Sequence, residues 1–343
     1  MRVMCNNAED ILEQDVLLGD ELLDDEDSLS GSSDEMYEHF SIVVDKGQKM
    51  LRLDKFLVDR MEHCSRNRIQ QAADNGLLLV NGVAAKSSYK VKPLDHITFV
   101  MPYPKRELEI IPEDIPLNIV YEDDSLIIVN KQPGMVVHPG CGNYTGTLVN
   151  ALTFYLKDIP LFQKGDMRAG LVHRIDKDTS GLLAVATNDL AHTMLASQLK
   201  DHSMYRMYDA IVCGTFRENS GTVDAPIGRH PSDRKKMCVT ARNSKEAVTH
   251  WEVVKRYRGY THIRCKLETG RTHQIRVHMA HIGHPLLGDV VYGHKKPELG
   301  QDSQCLHAGA LCFAHPRDGH PVMVFAELPE YFKKVIEKLE KMT

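Results

Sequence analysis

The sequence predicts an α+β protein: a small N-terminal α/β unit, then a larger domain on a mixed, largely antiparallel sheet. Three observations carry this. The 343 residues suffice for two ordinary domains. A proline-rich break, Met101-Pro-Tyr-Pro104, separates two differently patterned stretches. Beyond it, strand-like and helical runs follow one another without the regular alternation of a doubly wound sheet. With 42% hydrophobic and 26% charged residues, collagen, mucin and wholly disordered chains are excluded. No run of about 18 apolar residues marks a transmembrane helix. No basic n-region with an apolar h-region opens the chain, so a cytoplasmic protein away from membranes is expected.

Charge divides the chain as sharply as pattern does. Residues 1–38 carry 13 acidic side chains against one Arg, a net of −12. The remaining 34 acidic and 41 basic residues leave the body at +7, behind a chain total of −5. Low hydrophobicity with like charge argues for a disordered acidic tail over 1–40. The basic body suggests a nucleic-acid partner, and the tail either covers that surface or only solubilises. The eight cysteines form no C-x-x-C pair and read as reduced thiols.

The small unit is expected over 48–103. Leu53, Phe56, Leu57 and Met61 recur at helical spacing. In SRNRIQQAADNG, Ser65 fits an N-cap, Ile69, Ala72 and Ala73 one face, and Gly76 the C′ position. LLLV then meets Asn81-Gly82, the strongest short hairpin signal. SSYKV and HITFV are expected to form a further strand pair. Arg66 and Arg68 stand in the first turn of the second helix, where cations oppose the macrodipole. Phosphate binding would justify them; a solvated face is the plainer alternative. The pattern R-L-D-K-F-L, S-R-x-x-I-Q and G-x-x-x-V-N-G resembles the S4 RNA-binding domain.

The larger domain is expected over 112–343. Strand-like runs at 118–121 and 126–130 flank the acidic turn Glu122-Asp-Asp124. Further strands are expected near 182–186, 207–213, 251–255, 261–268 and 322–327, and helices near 147–156, 188–200, 272–282 and 329–340. Three segments carry chemistry. In LVHRIDKDTSGLLAVA, Asp176 sits in a polar island between apolar runs, the pattern of a loop at a sheet edge. In RMYDAIVCG, Arg206, Tyr208 and Ala210 share one strand face. In LETGRTHQIRVHMAHIGHPLLGD, Thr272 fits an N-cap and Gly283 a C′ residue, and Arg271 and Arg276 place two cations near one helix end. His273, His278, His281 and His284 lack the spacing and companions of a metal set, so no metal is expected. No G-x-S-x-G, GxGxxG or Walker A pattern appears, so no nucleophilic serine and no nucleotide cofactor is expected.

Together, H-R-I-D-K-D-T-S-G-L-L, R-x-Y-x-A and G-R-T-H-Q-I-R-V-H…G-H-P-L-L-G-D resemble the RluA family of pseudouridine synthases. GTVDAPIGRHPSDRKKM, AVTHWEVV and YEDDSLIIVNKQPGMVVHPG narrow the resemblance to its large-subunit ribosomal RNA synthase D group. Ile175 stands for the usual Leu and Arg206 for a frequent Lys. The resemblance implies a cofactor-free isomerase, expected as a monomer, acting on 23S ribosomal RNA in the large subunit or its precursor, at helix 69. The reaction cuts N1–C1′ of uridine and joins C5 to C1′. By resemblance Asp176 is the catalytic carboxylate, attacking the nucleotide or taking a proton from its ribose. Arg276 supplies its counter-charge, and Tyr208 packs on the uracil and relays a proton. Arg174 fills the space of the flipped nucleotide. Arg271, Arg229 and its basic loop Arg234-Lys235-Lys236, with Arg66 and Arg68, meet phosphates. Alternatives are a family member acting on transfer RNA or other ribosomal sites, a non-catalytic assembly factor and a metal-dependent nuclease. The retained Asp176, Tyr208 and Arg276 disfavour the second, and the missing carboxylate cluster the third.

Overall fold

The structure, a computed structural model, describes residues 37–58, 60–61, 66–101, 110–139, 143–163, 170–233 and 236–342. The acidic stretch 1–36, Ser65, Arg234, Lys235 and the side chain of Arg68 lie outside the described residues. The described residues form two compact units, 37–101 and 110–342.

In the first unit, β1 (Tyr37–Val43), β2 (Leu51–Arg52), α1 (Leu53–Val58), α2 (Arg66–Asp74), β3 (Leu78–Val80), β4 (Val83–Ala84), β5 (Lys90–Val91) and β6 (His96–Met101) follow in order. The sheet runs β1-β6-β3-β4. It takes in Tyr37–Phe40, so the expected tail over 1–40 reaches four residues too far and the unit starts upstream of 48. Asn81 and Gly82 have φ of 51° and 80°, the two left-handed residues of a type I′ hairpin turn. β5 and β6 are not a pair: β5 joins β2, and β6 lies between β1 and β3. Pairing over such distances leaves no trace in local pattern. The core is Leu53, Phe56, Leu57, Ile69, Leu78 and Ile97.

A buried carboxylate organises the helix starts. Asp54 is fully buried and accepts two bonds from Arg52, two from Arg66 and one from Gln70. The Arg52 hydrogen bonds, with those of Gln70 and Arg66, hold it far below the usual carboxylate range against the pull of burial. Arg66, a cation at a helix N-terminus, thus has a protein partner that the sequence did not reveal.

In the second unit, β7 (Ile119–Glu122), β8 (Leu126–Lys131), α3 (Leu148–Tyr155), α4 (Pro160–Gln163), β9 (Ser180–Ala186), α5 (Asp189–Lys200) and β10 (Tyr205–Cys213) come first. β11 (Ser220–Asp224), β12 (Ile227–Arg229), β13 (Met237–Val239), β14 (Ser244–Lys245), β15 (Val248–Tyr257) and β16 (Tyr260–Leu267) follow. α6 (Gln274–His281), β17 (Leu306–Ala314), β18 (Pro321–Phe325) and α7 (Glu330–Lys341) complete it. The main sheet runs β11-β15-β16-β10-β17-β9-β8-β7, with β18 also on β17. Among the described residues only β9 and β17 pair in parallel, so the sheet is mixed and mainly antiparallel. β12 forms a separate small sheet with β13 and β14.

The centre of the main sheet is covered on both sides, and residue parity sorts the side chains. Ile127, Val129, Leu183 and Val185 face one cluster with Leu148 and Leu152 of α3 and Ile275 and Met279 of α6. Leu126, Ile128, Leu182 and Ala184 face the other, with Ala191 and Leu195 of α5. Double coverage is why these strands read as unbroken apolar runs. α7 seals one end with Phe332, Val335 and Leu339 against Ile211. No helix among the described residues is long and apolar enough to cross a membrane.

Candidate active site

The polar island at 173–181 forms the loop entering β9. Thr179 N–H closes on the Asp176 carbonyl at 3.1 Å. Behind it, Lys131 is buried at the end of β8 and its Nζ donates to the carbonyls of Gln132, Met135 and Lys177 at 2.9, 2.9 and 2.8 Å. Three carbonyl acceptors call for three N–H donors, which only the ammonium supplies. Burial pulls Lys131 down to about 7, and the negative charges of Asp176 and Asp178 pull it back. At the loop's far end Gly181 has φ 116°, and a Cβ there would stand 2.2 Å from the Ala308 carbonyl oxygen. The parallel contact with β17 therefore demands glycine, and it fixes where the loop leaves the sheet.

α6 supplies the cation. Its N-cap is His273 in the left-handed region (φ 56°), without a side-chain cap, so the expected Thr272 cap is off by one. The reason lies in Gln274, whose Oε1 accepts the Arg271 N–H and the Thr269 hydroxyl and closes the turn from inside. The C-terminus ends on Gly283 as expected: Gly283 N–H bonds Ala280 O and His284 N–H bonds Met279 O, a Schellman closure. Arg276 is buried between two carboxylates. Asp289 takes Nε at 2.7 Å and Nη2 at 3.1 Å, while Asp176 Oδ2 takes Nη1 at 3.1 Å. The guanidinium also lies 5.1 Å from the ring centre of Tyr292, whose hydroxyl meets His273 Nδ1 at 2.8 Å.

The carboxyl of Asp176 is only 19% exposed. Burial pushes its pKa up, but the charges of His273 and Arg276, the Arg276 hydrogen bond and the Arg174 charge outweigh burial and hold it below the usual range. His273 is itself lowered by burial, so at neutral pH the guanidinium is the lasting charge. Oδ2 is used; Oδ1 has no protein donor among the described residues and is left for a ligand. Tyr208 on β10 is buried, and burial first, then the Asp176 charge, raises its phenol despite Arg206.

Asp176, Tyr208, Arg276, Arg174 and Arg271 all line one cleft, walled by Ile175, Leu267, Ile275 and Leu306. Five of the expected residues thus come together across three distant segments. Arg271 Nε donates to the Glu246 carbonyl at 3.0 Å. Arg229 is exposed on β12, outside the cleft lining. Arg66 belongs to the other unit and Arg68's side chain is outside the described residues. Sequence reasoning missed Asp289, Lys131 and the cleft role of Arg206, buried with Nη2 on the Glu268 carbonyl at 3.1 Å. Asp289 closes the G-H-P-L-L-G-D run, which was a signal of position but not of contact. Of the histidines, His278 bonds Thr249 and Ala225, and His284 the Cys213 carbonyl, each with its own partner. The two clusters of three potential metal ligands among the described residues include no cleft residue.

Comparison with known proteins gives the chain's family. Residues 125–281 match the RNA pseudouridylate synthase family model and residues 51–97 the S4 domain model. The RNA pseudouridine synthase YlyB of Bacillus subtilis, itself uncharacterized, is 48% identical over 88% of this chain and 98% of its own length. Ribosomal large subunit pseudouridine synthase D of Zymomonas mobilis is 44% identical, over 84% of this chain and 93% of its own. The human protein RNA pseudouridylate synthase domain containing 4 shares the fold, with TM-score 0.52 at 23% identity over 65% of this chain and 93% of that one. Likeness at this level over nearly whole chains, with both domain models matched, is decisive: the chain belongs to the RNA pseudouridine synthase family, isomerases here of the S4-bearing RluA type.

Proposed function

We propose that the protein converts uridine to pseudouridine in 23S ribosomal RNA, within helix 69, acting in the cytoplasm on the large subunit or its precursor. The carrying observation is the Asp176–Arg276–Asp289 arrangement: a carboxylate kept ionised beside a buried guanidinium, with one oxygen that has no donor among the described residues. A ribosomal target draws support from the relatives named large-subunit synthase D and from the S4 match.

Uridine within a stack cannot reach this cleft, so the nucleotide flips out at a cost of a few kcal/mol. Arg174 takes up the vacated space, and Arg271, Arg229, Arg66 and Arg68 meet backbone phosphates. The base lies against Tyr208, beside the apolar wall. Asp176 Oδ1 opens the reaction, as nucleophile or as base toward the ribose, and the N1–C1′ bond breaks. The base turns and C5 bonds C1′, as the Asp176–C1′ bond breaks or Asp176 returns the ribose proton. The hydrogen on C5 then leaves as a proton, N1 gains one, and Tyr208 relays it. Atoms and charge balance without redox or an energy source.

Mapping pseudouridine across 23S ribosomal RNA from cells lacking the protein tests the target. Loss confined to helix 69, restored by the wild-type gene, is expected. Intact helix 69 with losses in transfer RNA or elsewhere would assign another substrate.

A further inference from the structure

One cluster outside the cleft has the makings of a metal site. Cys213 ends β10, where its backbone pairs with Tyr260 and its N–H bonds the Pro285 carbonyl at 2.8 Å. Its Sγ lies 3.5 Å from Glu298 Oε2, and His294 Nδ1 lies 2.6 Å from Glu298 Oε1. All three ligand atoms fall within 4.8 Å of one another. A carboxylate only accepts, so the thiol S–H and the imidazole N–H both point at Glu298. Two protons thus occupy the space between three ligands of a kind that binds one dication.

We propose that Cys213, His294 and Glu298 bind a zinc-class divalent cation that staples the Asp289–Gln301 loop to β10. The spacing fits. With Zn–S about 2.3 Å and Zn–O about 2.0 Å at a tetrahedral angle, sulfur and oxygen stand about 3.5 Å apart, the distance observed from Cys213 Sγ to Glu298 Oε2. His294 Nδ1 stands on the other carboxylate oxygen, Oε1, at 2.6 Å, so on binding the imidazole gives up that contact and turns to the metal. Thiolate with imidazole selects zinc over magnesium or calcium. The supports are firm: Glu298 and Gln301 exchange backbone bonds at 3.1 and 2.8 Å, and Lys338 Nζ holds the Leu299 carbonyl at 2.8 Å. On binding, the thiol proton leaves to solvent and the imidazole proton moves from Nδ1 to Nε2. Thiolate and carboxylate then neutralise the dication, and water takes the fourth position.

The loop is not a remote one. It starts at Asp289, which holds Arg276, and carries Tyr292, which lies against it. β10, at the other end of the staple, carries Tyr208. Metal binding would therefore stiffen both supports of the cleft without entering the reaction. The other cluster, His315, Asp318 and His320, suits metal less well. Its imidazoles stack in parallel at 4.6 Å, and His315 Nδ1 already accepts the Arg317 N–H.

The test is cobalt titration of the full-length, metal-stripped protein under a non-chelating reductant. One equivalent should give a thiolate-to-cobalt charge-transfer band with the visible bands of a four-coordinate site, both removed by zinc. Cys213→Ser should abolish the charge-transfer band. The exposed His294→Ala, which leaves the core untouched, should raise the apparent Kd by more than about 100-fold, beyond what an outer-sphere partner typically costs. Zinc should raise the melting temperature of wild type and not of either variant. Absence of the charge-transfer band in wild type, or its persistence in Cys213→Ser, would overturn the proposal. Equal affinity in His294→Ala would do so as well.

Discussion

Replacing Asp289 by Asn probes how the cationic side of the cleft is held. Asp289 is buried, binds Arg276 through both oxygens at 2.7 and 3.1 Å, and accepts the N–H groups of Val291 and Tyr292 at 3.0 Å each. Asn preserves the shape and one oxygen but turns an amide NH2 toward a guanidinium that only donates. Breaking a buried pair by removing one partner costs about 3–5 kcal/mol. The lower end applies, because Asp176 still offers Arg276 a counter-charge. For a domain of this size each kcal/mol moves the melting temperature by about 2–4 °C, so about 3 kcal/mol gives a fall of roughly 6–12 °C. Arg276, freed of its bidentate partner, swings toward Asp176; a misplacement of about 1 Å costs about 10²-fold in rate. Calorimetry reads the first effect. Single-turnover release of tritium from C5 of uridine reads the second, since that hydrogen leaves when C5 bonds C1′. Wild-type melting together with wild-type turnover would refute the reasoning.

Three further outcomes follow from the same geometry. Tyr208→Phe, which keeps the ring but not the hydroxyl, should bind RNA normally and turn over slowly, whereas Tyr208→Ala should lose both; wild-type turnover by Tyr208→Phe would remove the proton-relay role. Turnover should survive prolonged EDTA treatment at a temperature well below melting, with RNA folding controlled, because no cleft residue groups as a metal set; loss restored by zinc would contradict this. Deleting residues 1–103 should weaken binding to ribosomal RNA and flatten its salt dependence while leaving slow activity at high enzyme concentration; an unchanged affinity measured against salt would show that the S4 unit does not bind this substrate.

The parts of the fold legible in the sequence are those fixed by local rules. The Asn81-Gly82 turn needs two left-handed residues and has them, and Gly283 closes α6 as its position implied. The β7–β8 hairpin follows from two strand-like runs flanking the acidic turn Glu122-Asp-Asp124. Long-range pairing was not legible. β17, rich in Ala and Gly and buried on both faces, carries neither β-branched residues nor an alternating pattern, so nothing local marks it as a strand between β10 and β9. The site shows the same division. Asp176, Tyr208 and Arg276 sit in distinctive runs, but their supports do not. Asp289 reads as an ordinary turn acid until the fold sets it against Arg276. Lys131, inside LIIVNK, reads as the polar end of a strand until three carbonyls surround it. Arg66 reads as a loose cation because Asp54, twelve residues earlier, gives no local sign of being buried.

Asp176 is the proposed catalytic carboxylate, and its replacement by Asn isolates that role. Arg276 keeps its bidentate hold on Asp289 in the variant, so the cleft stays assembled. Single-turnover conversion of a helix 69 stem-loop should be measured with excess pure Asp176→Asn protein, alongside melting and RNA affinity. Near-wild-type melting and affinity with no pseudouridine formed are expected. Turnover above a no-enzyme control would contradict that role and move the chemistry to another group in the cleft.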